Sequence, residues 1–305
     1  MNEIPWTEKY RPNNFEDIIL EENNKKLLNN IIDINYFPNL LFYGPPGCGK
    51  TTTILNIIKS FQNKNNIKNN SSIIHLNASD DRGIDVIRNN IFNFIKTNNL
   101  FDCDYKFIIL DEVDYMTKSA QQALKYIIQM YNKNICYCLI CNYISKIDNS
   151  LKNEFINIRF NNLPKDETFK FINNINITEQ LNLSVDTINN IINYFNSDVR
   201  SMVNYLQKNS FKNKNIMDNN SLHKLFIINT NNNVDVFLKE IFKLERVYEI
   251  DKKNIIINYI YYILYYKIDI INNIVINNLE HIVHNINNNN NIHYKIKFLY
   301  FLIKS

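Results

Sequence analysis

The segment GPPGCGKTT, residues 44–52, constrains the fold more than any other part of the sequence. The chain has only four glycines, and three of them, Gly44, Gly47 and Gly49, lie in this segment. Glycine is needed where the backbone adopts a conformation, or makes a close approach, that a side chain would prevent. An apolar run at 39–43 precedes the segment and a helical pattern follows it. This context predicts a loop that joins a buried strand to a helix and cradles phosphate with its backbone N–H groups.

Two side chains of this loop have roles that the loop chemistry predicts. Lys50 places a positive charge against the β- and γ-phosphates, and Thr51 offers a hydroxyl to Mg²⁺. The helix that follows directs its positive end at the same anions. The loop residues assigned to nucleotide binding are Gly44, Pro45, Pro46, Gly47, Cys48, Gly49, Lys50, Thr51 and Thr52. A chance match is the alternative, and the flanking strand and helix patterns argue against it.

Short apolar runs alternate with helical patterns as far as about Leu163. The predicted strands are residues 39–43, 72–77, 106–110, 135–140 and 155–160. This alternation predicts an α/β fold with a parallel sheet covered by helices. Pro164 follows the last strand, and the remainder of the chain predicts two helical blocks with a seam near residues 212–220.

Two acidic residues follow the apolar run at 106–110, at the point where a buried strand ends. Asp111 would lie at the carboxyl edge of the sheet near the phosphate loop, where a carboxylate can hold magnesium. Glu112 is one residue further and would face an attacking water, so it is the candidate general base. An N-cap role for Asp111 or Asp114 is the alternative. Asn142, at the end of the next apolar run, is placed to orient the same water.

The length of 305 residues and the apolar fraction of 45% predict a globular protein of two or three domains. The formal net charge of +4 is small, so any surface for nucleic acid must be local. Asparagine makes up about one residue in five, which indicates a compositional bias at tolerant surface positions. Isolated asparagines therefore carry little weight as functional signals.

The five cysteines are Cys48, Cys103, Cys136, Cys138 and Cys141. Their odd number, and a polar N-terminus without a signal-peptide pattern, indicate reduced thiols and an intracellular protein. Strand alternation directs Cys136 and Cys138 to one face of the sheet and Cys141 to the other, which favours buried thiols over a zinc site. The most apolar stretch, residues 254–266, is shorter than the ~20 residues of a spanning helix. It predicts a buried helix and no membrane association.

These motifs, in this order, resemble those of the AAA+ ATPases, and more narrowly those of the small subunits of replication factor C, the sliding-clamp loader. The resemblance extends over nearly the whole chain. Its segments are PWTEKYRPNNFEDI (5–18), LLFYGPPGCGKTTT (40–53), LNASDDRGIDVIRNNI (76–91), IILDEVDYMTKSAQQAL (108–124), SDVRSMVNYLQ (197–207) and LEHIVHNINNNNNIHYKIKFLYFLI (279–303). Cys48 stands where the family usually has Thr, and Ser197 where it usually has Gly.

The resemblance implies an AAA+ P-loop core at 1–163, a helical lid at 164–222 and a helical collar at 223–305. It implies binding and hydrolysis of ATP with Mg²⁺, coupled to loading of a ring-shaped sliding clamp onto primer-template DNA. The implied partners are the large and small loader subunits of a hetero-pentamer, the clamp and the DNA. The implied location is the nucleus or a viral replication compartment.

The resemblance also assigns roles to residues outside the phosphate loop. Arg200 would reach from the lid to the phosphates and, with Asn142, would sense the γ-phosphate; an ordinary surface charge is the alternative for Arg200. Asn77 would restrain Glu112 until DNA binds. The residues implied to lie beside the adenine and ribose are Tyr10, Arg11 and Pro12.

Three basic residues lie in or near segments that the family turns toward DNA: Arg82, Arg88 and Lys118. They would contact backbone phosphates and would not read base identity. A solvated helix face is the alternative for Arg82 and Arg88. Met130 and Tyr131 lie where the family contacts its clamp, and an ordinary core or surface role is the alternative there.

One segment departs from the family pattern. Asn153, Glu154 and Phe155 stand where most small subunits have Ser-Arg-Cys. The family's arginine is an arginine finger that acts on the neighbour's ATP. A carboxylate at Glu154 would repel that phosphate, and Lys152 is a poorer phosphate ligand than arginine. The family also has an arginine at the position of Arg159, so Arg159 does not replace the missing finger. The comparison with the family therefore predicts a subunit that binds ATP and leaves the adjacent site incomplete.

Three alternatives remain open at the level of the sequence. The chain could be an ATP-binding scaffold subunit with little turnover of its own, or a subunit of a checkpoint-type loader. A P-loop kinase acting on a small molecule is the third, and neither the Asp111–Glu112 pair nor Arg200 supports it.

Overall fold

Five strands form one parallel sheet in the computed structural model: β1 (Leu40–Tyr43), β2 (Ile73–Asn77), β3 (Lys106–Asp111), β4 (Ile135–Cys141) and β5 (Ile156–Arg159). Their order across the sheet is β2–β3–β4–β1–β5, and every neighbouring pair is parallel. Each strand lies where the sequence predicts one, and its ends differ from the prediction by one residue at most. The predicted α/β fold with a parallel sheet is confirmed.

The structure describes residues 4–34, 36–65, 72–78, 84–96, 105–131, 134–161, 163–196, 198–210, 219–231, 233–271, 273–285 and 292–304. The helices within these ranges are α1 (Trp6–Lys9), α2 (Glu22–Ile34), α3 (Lys50–Lys64), α4 (Ile84–Lys96), α5 (Lys118–Met130), α6 (Asn149–Lys152), α7 (Lys165–Thr178), α8 (Val185–Phe195), α9 (Val199–Ser210), α10 (Asn219–Asn231), α11 (Val234–Tyr248), α12 (Lys252–Tyr266), α13 (Asn273–Asn285) and α14 (Ile292–Lys304). Short 3₁₀ turns occupy Phe15–Asp17, Val113–Tyr115, Ile144–Lys146 and Ile268–Ile270.

The sheet is buried on both faces, which explains why its strands are continuous apolar runs. Along β3, Phe107 and Ile109 belong to one apolar core, and Ile108 and Leu110 belong to the other. Side chains alternate between the faces of a strand, so each strand supplies both cores. Helix α3 contributes Ile54, Ile57, Ile58 and Phe61 to the first core, and α5 contributes Leu124, Ile127 and Ile128 to the second. Both sets have the helical spacing that gives one apolar stripe.

The chain divides into two compact units. The first comprises Met1–Thr168 together with Ser197–Ser201, and the second comprises Phe169–Asn196 together with Met202–Ser305. The regular elements described in the second unit are all helices, and Phe237 packs there against the rings of Tyr259 and Tyr300. The division into a core, a lid and a collar at residues 163 and 222 stays a prediction.

The most apolar stretch of the sequence, residues 254–266, lies in α12, which confirms the predicted helix. Its buried residues include Ile256 and Tyr259, whereas Tyr265 and Tyr266 at its C-terminal end are exposed. Among the described residues no helix combines the length and the apolar character that a membrane span needs.

The strand cysteines lie in the two cores as the alternation predicts. Cys136 and Cys138 belong to one core and Cys141 to the other, and all three are buried free thiols. Burial raises the pKa of Cys136 and of Cys141 to about 12. Thiols of this kind are poor nucleophiles, because the reactive thiolate is suppressed. Cys103 lies outside the described residues.

The raised pKa of the Cys136 thiol predicts a loss of stability at alkaline pH. The unfolded thiol ionises near its ordinary pKa of about 9 and the folded thiol near about 12. The stabilisation is therefore complete below pH 9 and is lost as the pH rises from 9 towards 12, at about 1.4 kcal/mol per pH unit. Between pH 8.5 and 10.5 the wild-type protein should lose about 2 kcal/mol more unfolding free energy than a Cys136→Ala variant.

Urea unfolding at the two pH values measures this difference. Trp6 is the only tryptophan, is buried and belongs to the first unit, so its fluorescence reports on the unit that contains Cys136. Equal losses in the two proteins would contradict the assignment. Cys138 is retained in both proteins, so the effect of its own burial is present in each.

Candidate nucleotide-binding site

The phosphate loop joins β1 to α3, and its glycines are required by close contacts. Gly44 has φ +149°, and a Cβ built there would lie 2.2 Å from the carbonyl oxygen of Phe160. Gly47 has φ +73°, and a Cβ there would lie 1.8 Å from Oδ1 of Asp198. Neither position can hold a larger residue without moving the chain segment that packs against it.

Lys50 is the first residue of α3, and its ammonium group is buried in this loop. Its Nζ donates to the carbonyl oxygens of Gly44 and Pro45, both at 2.8 Å. It also donates to Oδ1 of Asn142 at 2.9 Å. Because Asn142 directly follows β4, this last bond ties the phosphate loop to the neighbouring strand.

Thr51 and Asp111 supply two oxygens at one point. Thr51 Oγ1 donates to Asp111 Oδ2 at 2.8 Å. This bond links the start of α3 to the end of β3. A hydroxyl and a carboxylate are the hard oxygen ligands that Mg²⁺ prefers, so the residues present fit that ion. His75 on β2 lies beside them, with Nε2 3.9 Å from Asp111 Oδ2.

Glu112 turns the chain sharply after β3. It has φ +56°, in the left-handed region, which costs a residue with a side chain about 1–2 kcal/mol. Its N–H donates to Asp111 Oδ1 at 2.9 Å, and the 3₁₀ turn Val113–Tyr115 begins immediately after it. Strain of this kind is concentrated at functional sites. Asn77, the residue predicted to restrain Glu112, ends β2 and is paired in register with Asp111; the restraint itself stays a prediction.

The N-terminal segment is attached to the beginning of α3. Arg11 Nε donates to Thr52 Oγ1 at 3.2 Å, and the carbonyl oxygen of Pro12 accepts Nδ2 of Asn56 at 3.0 Å. Arg11 also forms an ion pair with Glu8 at 3.3 Å. The residues that the resemblance assigns to the adenine and ribose, Tyr10, Arg11 and Pro12, therefore lie next to the phosphate loop.

Arg200 lies in the first turn of α9, and its side chain is exposed. The residue that organises this turn is Asp198. Its Oδ1 accepts the N–H of Ser201 at 3.0 Å and its Oδ2 accepts the Ser201 hydroxyl at 2.7 Å. The same Asp198 packs against Gly47, so the start of α9 lies directly on the phosphate loop.

The predicted DNA residues are only partly described. Lys118 is exposed at the first position of α5. The helix dipole disfavours a cation at this end, so the charge of Lys118 gains no stabilisation from the dipole. Arg88 belongs to α4, but its side chain lies outside the described residues, as does the whole of Arg82.

Met130 and Tyr131, the two residues predicted to contact the clamp, lie in different environments. Met130 is exposed at the end of α5. Tyr131 is partly buried, its ring lies edge-on to Phe92 at 5.7 Å, and its carbonyl oxygen accepts the hydroxyl of Tyr137 at 3.0 Å. Met130 is thus available to a partner, whereas Tyr131 contributes to the core.

The segment that departs from the family pattern follows α6. Glu154 Oε1 accepts Nε2 of Gln129 at 2.7 Å, so its carboxylate is held against α5. Lys152 Nζ donates to Asn149 Oδ1 at 3.2 Å within α6. Phe155 is buried in one of the two cores, and Arg159 ends β5 with its side chain exposed.

Sequence reasoning missed three polar residues that organise the site. Asp114 does not cap α5, contrary to the N-cap alternative: Thr117 caps that helix, and Asp114 accepts the N–H of Tyr143. Gln121 is buried in α5, donates to the carbonyl oxygens of Met116 and Lys146, and accepts the N–H of Asp148. Asp198 is the third. Their partners are mainly backbone groups of other segments, which leave no residue-type signal in the sequence.

Comparison with known proteins finds one matching family and several similar proteins. Residues 40–162 match the family described as "ATPase family associated with various cellular activities (AAA)". The chain is 41% identical over 197 residues to replication factor C subunit 3 of Schizosaccharomyces pombe. It is 38% identical over 197 residues to replication factor C subunit 5 of Homo sapiens.

These matches cover part of each protein. Both alignments span 65% of this chain and 57% of the relative. Replication factor C small subunit 2 of Pyrobaculum islandicum is 38% identical over 66% of this chain and 62% of its own length. The chain thus aligns with less than two thirds of the relatives' own length.

Solved structures share the fold at low identity. The RuvB Holliday junction branch migration motor of Thermotoga maritima aligns with a TM-score of 0.54 at 15% identity, over 90% of this chain and 79% of that one. A second RuvB structure from the same organism gives a TM-score of 0.55 at 14% identity, over 96% and 90% of the two chains. Identity this low supports the shared fold alone.

The contact between Gly47 and Asp198 predicts an asymmetric effect of alanine substitutions in the loop. Gly47→Ala and Gly49→Ala both place Cβ on a left-handed residue, at a cost of about 1 kcal/mol each. Gly47→Ala adds a collision with Asp198, whereas the nearest atom to a Cβ on Gly49 is Thr53 Oγ1 at 3.9 Å. Without nucleotide, Gly47→Ala should therefore lower the melting temperature of the first unit more than Gly49→Ala does.

Thermal unfolding followed by Trp6 fluorescence measures both variants. An added Asp198→Gly removes the colliding carboxylate and should recover part of the loss in Gly47→Ala. It should recover nothing in Gly49→Ala. Equal destabilisation by the two alanines would show that the close approach is unimportant.

Proposed function

We propose that the chain is a small subunit of a clamp loader, because residues 40–162 match the AAA ATPase family and the chain is similar to replication factor C subunits. In this role it binds and hydrolyses ATP with Mg²⁺. Nucleotide binding and hydrolysis are coupled to loading of a ring-shaped sliding clamp onto primer-template DNA. The proposal also places it in the nucleus or in a viral replication compartment.

The observation that carries this proposal is the convergence of three strand ends on the phosphate loop. The loop follows β1, Asn142 follows β4 and bonds to Lys50, and Asp111 ends β3 and bonds to Thr51. Glu112 is adjacent to Asp111. Phosphate-binding, metal-binding and water-activating groups are thus brought to one edge of the sheet, where ligands bind in open α/β folds.

Each residue has a distinct task in hydrolysis. The loop N–H groups and Lys50 bind the β- and γ-phosphates, and Thr51 and Asp111 would hold Mg²⁺. The ion supplies charge neutralisation of the phosphate oxygens when bound. Glu112 accepts a proton from water as the water oxygen bonds to the γ-phosphorus. The bond between the γ-phosphorus and the bridging oxygen breaks, and ADP leaves with the electron pair.

The remaining assigned residues bind or sense. Asn142 and Arg200 respond to the γ-phosphate, and Arg11 with its neighbours in the N-terminal segment lies beside the adenine and ribose. Lys118, with Arg82 and Arg88, supplies charge for DNA phosphates. The lid and collar join the chain to large and small loader subunits in a hetero-pentamer.

One observation favours a second candidate, a scaffold subunit with little turnover of its own. Glu154 occupies the position of the family's arginine finger and is bound to Gln129, so it supplies no cation to a neighbouring site. The polar groups assigned to this chain's own site are nevertheless all present, with Glu112 adjacent to the Thr51–Asp111 pair. The first candidate is therefore preferred.

Glu112→Gln separates the two candidates. The amide keeps the shape of the side chain and removes the proton acceptor, so the ATP turnover that this chain's own site contributes to the assembled loader should fall by about 100-fold or more. ATP binding should be retained. Lys50→Ala, in contrast, should abolish nucleotide binding because it removes the phosphate-binding charge.

Released inorganic phosphate reports turnover, and a fluorescent ATP analogue reports binding. Loaders that differ only in this chain are compared. Unchanged turnover in Glu112→Gln would favour the scaffold. Unchanged nucleotide binding and assembly in Lys50→Ala would contradict nucleotide binding at this loop altogether.

The departure at Glu154 gives a gain-of-function prediction. Glu154→Arg replaces a repelling carboxylate with a cation that can stabilise transferred phosphate. Turnover at the adjacent interface of the assembled ring should increase by about tenfold or more. Glu154→Gln is the control, because it removes the negative charge and adds no cation. Equal turnover in the two variants would place the finger elsewhere.

A further inference from the structure

Asp114 is a buried carboxylate that the hydrolysis steps leave without a task. It is only 5% exposed. Its Oδ2 accepts the N–H of Tyr143 at 3.3 Å, and within the described part of the chain its Oδ1 has no hydrogen-bond partner. Burying a carboxylate with one unpaired oxygen is unfavourable, so its retention calls for a physical reason.

The two ends of the Asp114 bond lie next to the two residues that act on the attacking water. Tyr143 directly follows Asn142, whose Oδ1 accepts the Lys50 ammonium at 2.9 Å. Asp114 lies in the 3₁₀ turn that begins after Glu112, and the carbonyl oxygen of Glu112 accepts the N–H of Tyr115 at 3.0 Å. One hydrogen bond therefore joins the turn that follows Glu112 (the Glu112 turn, Val113–Tyr115) to the segment that follows Asn142 (the Asn142 turn, which begins at Tyr143).

The backbone conformation of Glu112 calls for such a connection. Its left-handed backbone, at φ +56°, is sparsely populated for residues other than glycine. A strained conformation of this kind persists only when surrounding contacts fix it. The bond from Asp114 to Tyr143 supplies one of these contacts, because it holds the 3₁₀ turn against the end of β4.

A separate contact holds the same two loops together further from the site. Gln121 donates from Nε2 to the carbonyl oxygen of Met116 at 3.2 Å and to that of Lys146 at 3.1 Å. These residues lie at the far ends of the two 3₁₀ turns, one of which contains Asp114. If the Asp114 bond were lost, Gln121 would still hold the two turns together. The change would be confined mainly to the ends of the turns that lie closest to the site, at Glu112 and Asn142.

We propose that Asp114 is a positioning residue that fixes the Glu112 carboxylate relative to the Asn142–Lys50 pair. It does not touch the nucleotide. It acts through the backbone of Tyr143 and through the turn that it shares with Glu112. This inference rests on the proposed ATPase function and assigns to the same site a residue that aligns its general base with its γ-phosphate sensor.

The test compares Asp114→Ala with Asp114→Asn in the full chain, purified with the subunits that assemble with it. Alanine removes the acceptor for the Tyr143 N–H. Asparagine retains a carbonyl oxygen that can accept it and offers an N–H₂ group at the other oxygen's position. Steady-state phosphate release gives kcat and KM, and a fluorescent ATP analogue gives the dissociation constant.

Asp114→Ala should lower the part of kcat that this chain's own site contributes by about tenfold or more, because a small misplacement of a catalytic group has a large effect on rate. KM and the dissociation constant should change by about twofold or less, since the phosphate-binding groups are untouched. Asp114→Asn should recover most of kcat. This separation of kcat from KM, with rescue by the conservative variant, is not expected of a residue needed only for folding.

Asn39→Ala is the matched control. Asn39 Oδ1 accepts the N–H of Tyr137, which is the same kind of bond to the first half of β4, away from the nucleotide edge. It should leave kcat within about twofold of the wild type. Melting of both alanine variants, followed by Trp6 fluorescence, shows that each is folded under the assay conditions.

Two results would overturn the inference. The first is wild-type kcat in Asp114→Ala while Glu112→Gln is inactive, which would leave the proposed function intact and remove only the role of Asp114. The second is a parallel loss of kcat and of ATP affinity in both Asp114 variants, which would make Asp114 a structural residue. Full activity of Glu112→Gln would instead refute the proposed function itself.

Discussion

Two hydrogen bonds across the carboxyl edge of the sheet hold the candidate site together: Lys50 to Asn142 and Thr51 to Asp111. Both begin at the start of α3 and end on a different strand. They are possible because β3, β4 and β1 are consecutive in the sheet, so that the carboxyl ends of all three strands lie close together. A strand order that placed β3 or β4 far from β1 would separate Lys50 and Thr51 from Asn142 and Asp111. The chemistry of the site therefore depends on sheet topology as much as on the residues themselves.

The sequence predicts the parts of this arrangement that have a periodic or compositional signal. Strands buried on both faces are continuous apolar runs, and the glycine-rich loop fixes the identity of β1 because few other sequences turn so sharply. Asp111 and Asn142 could be assigned because each directly follows such a run. The sequence does not predict that Asp114 is buried or that Asp198 packs on Gly47. In both cases the deciding partner is a backbone atom, a Tyr143 N–H or a glycine Cα, and a backbone atom has no residue type to recognise.

The proposed nucleotide site and the position of the family's arginine finger differ in this chain. Lys50 bonds to Asn142 and Thr51 bonds to Asp111, whereas Glu154 at the finger position is held by Gln129. The resemblance identified Glu154 by alignment, and the hydrogen bond adds a physical consequence. Because the Glu154 carboxylate accepts a hydrogen bond from Gln129 of α5, the local structure accommodates a glutamate at this position. The next residue, Phe155, is accommodated by packing in an apolar core.

Acids near a phosphate site must be neutralised by donors, because an unshielded carboxylate repels the ligand. Burial raises the pKa of the nearby Cys141 thiol to about 12, with Asp114 and Asp111 adding to the shift and Lys50 and Lys152 opposing it. Asp198, which touches the phosphate loop, uses both oxygens on Ser201. Asp114 uses only one of its two, on Tyr143. Asp198 can thus be explained by helix capping alone, whereas the one hydrogen bond of Asp114 joins the turn after Glu112 to the residue after Asn142, which is the connection that the proposed positioning role uses.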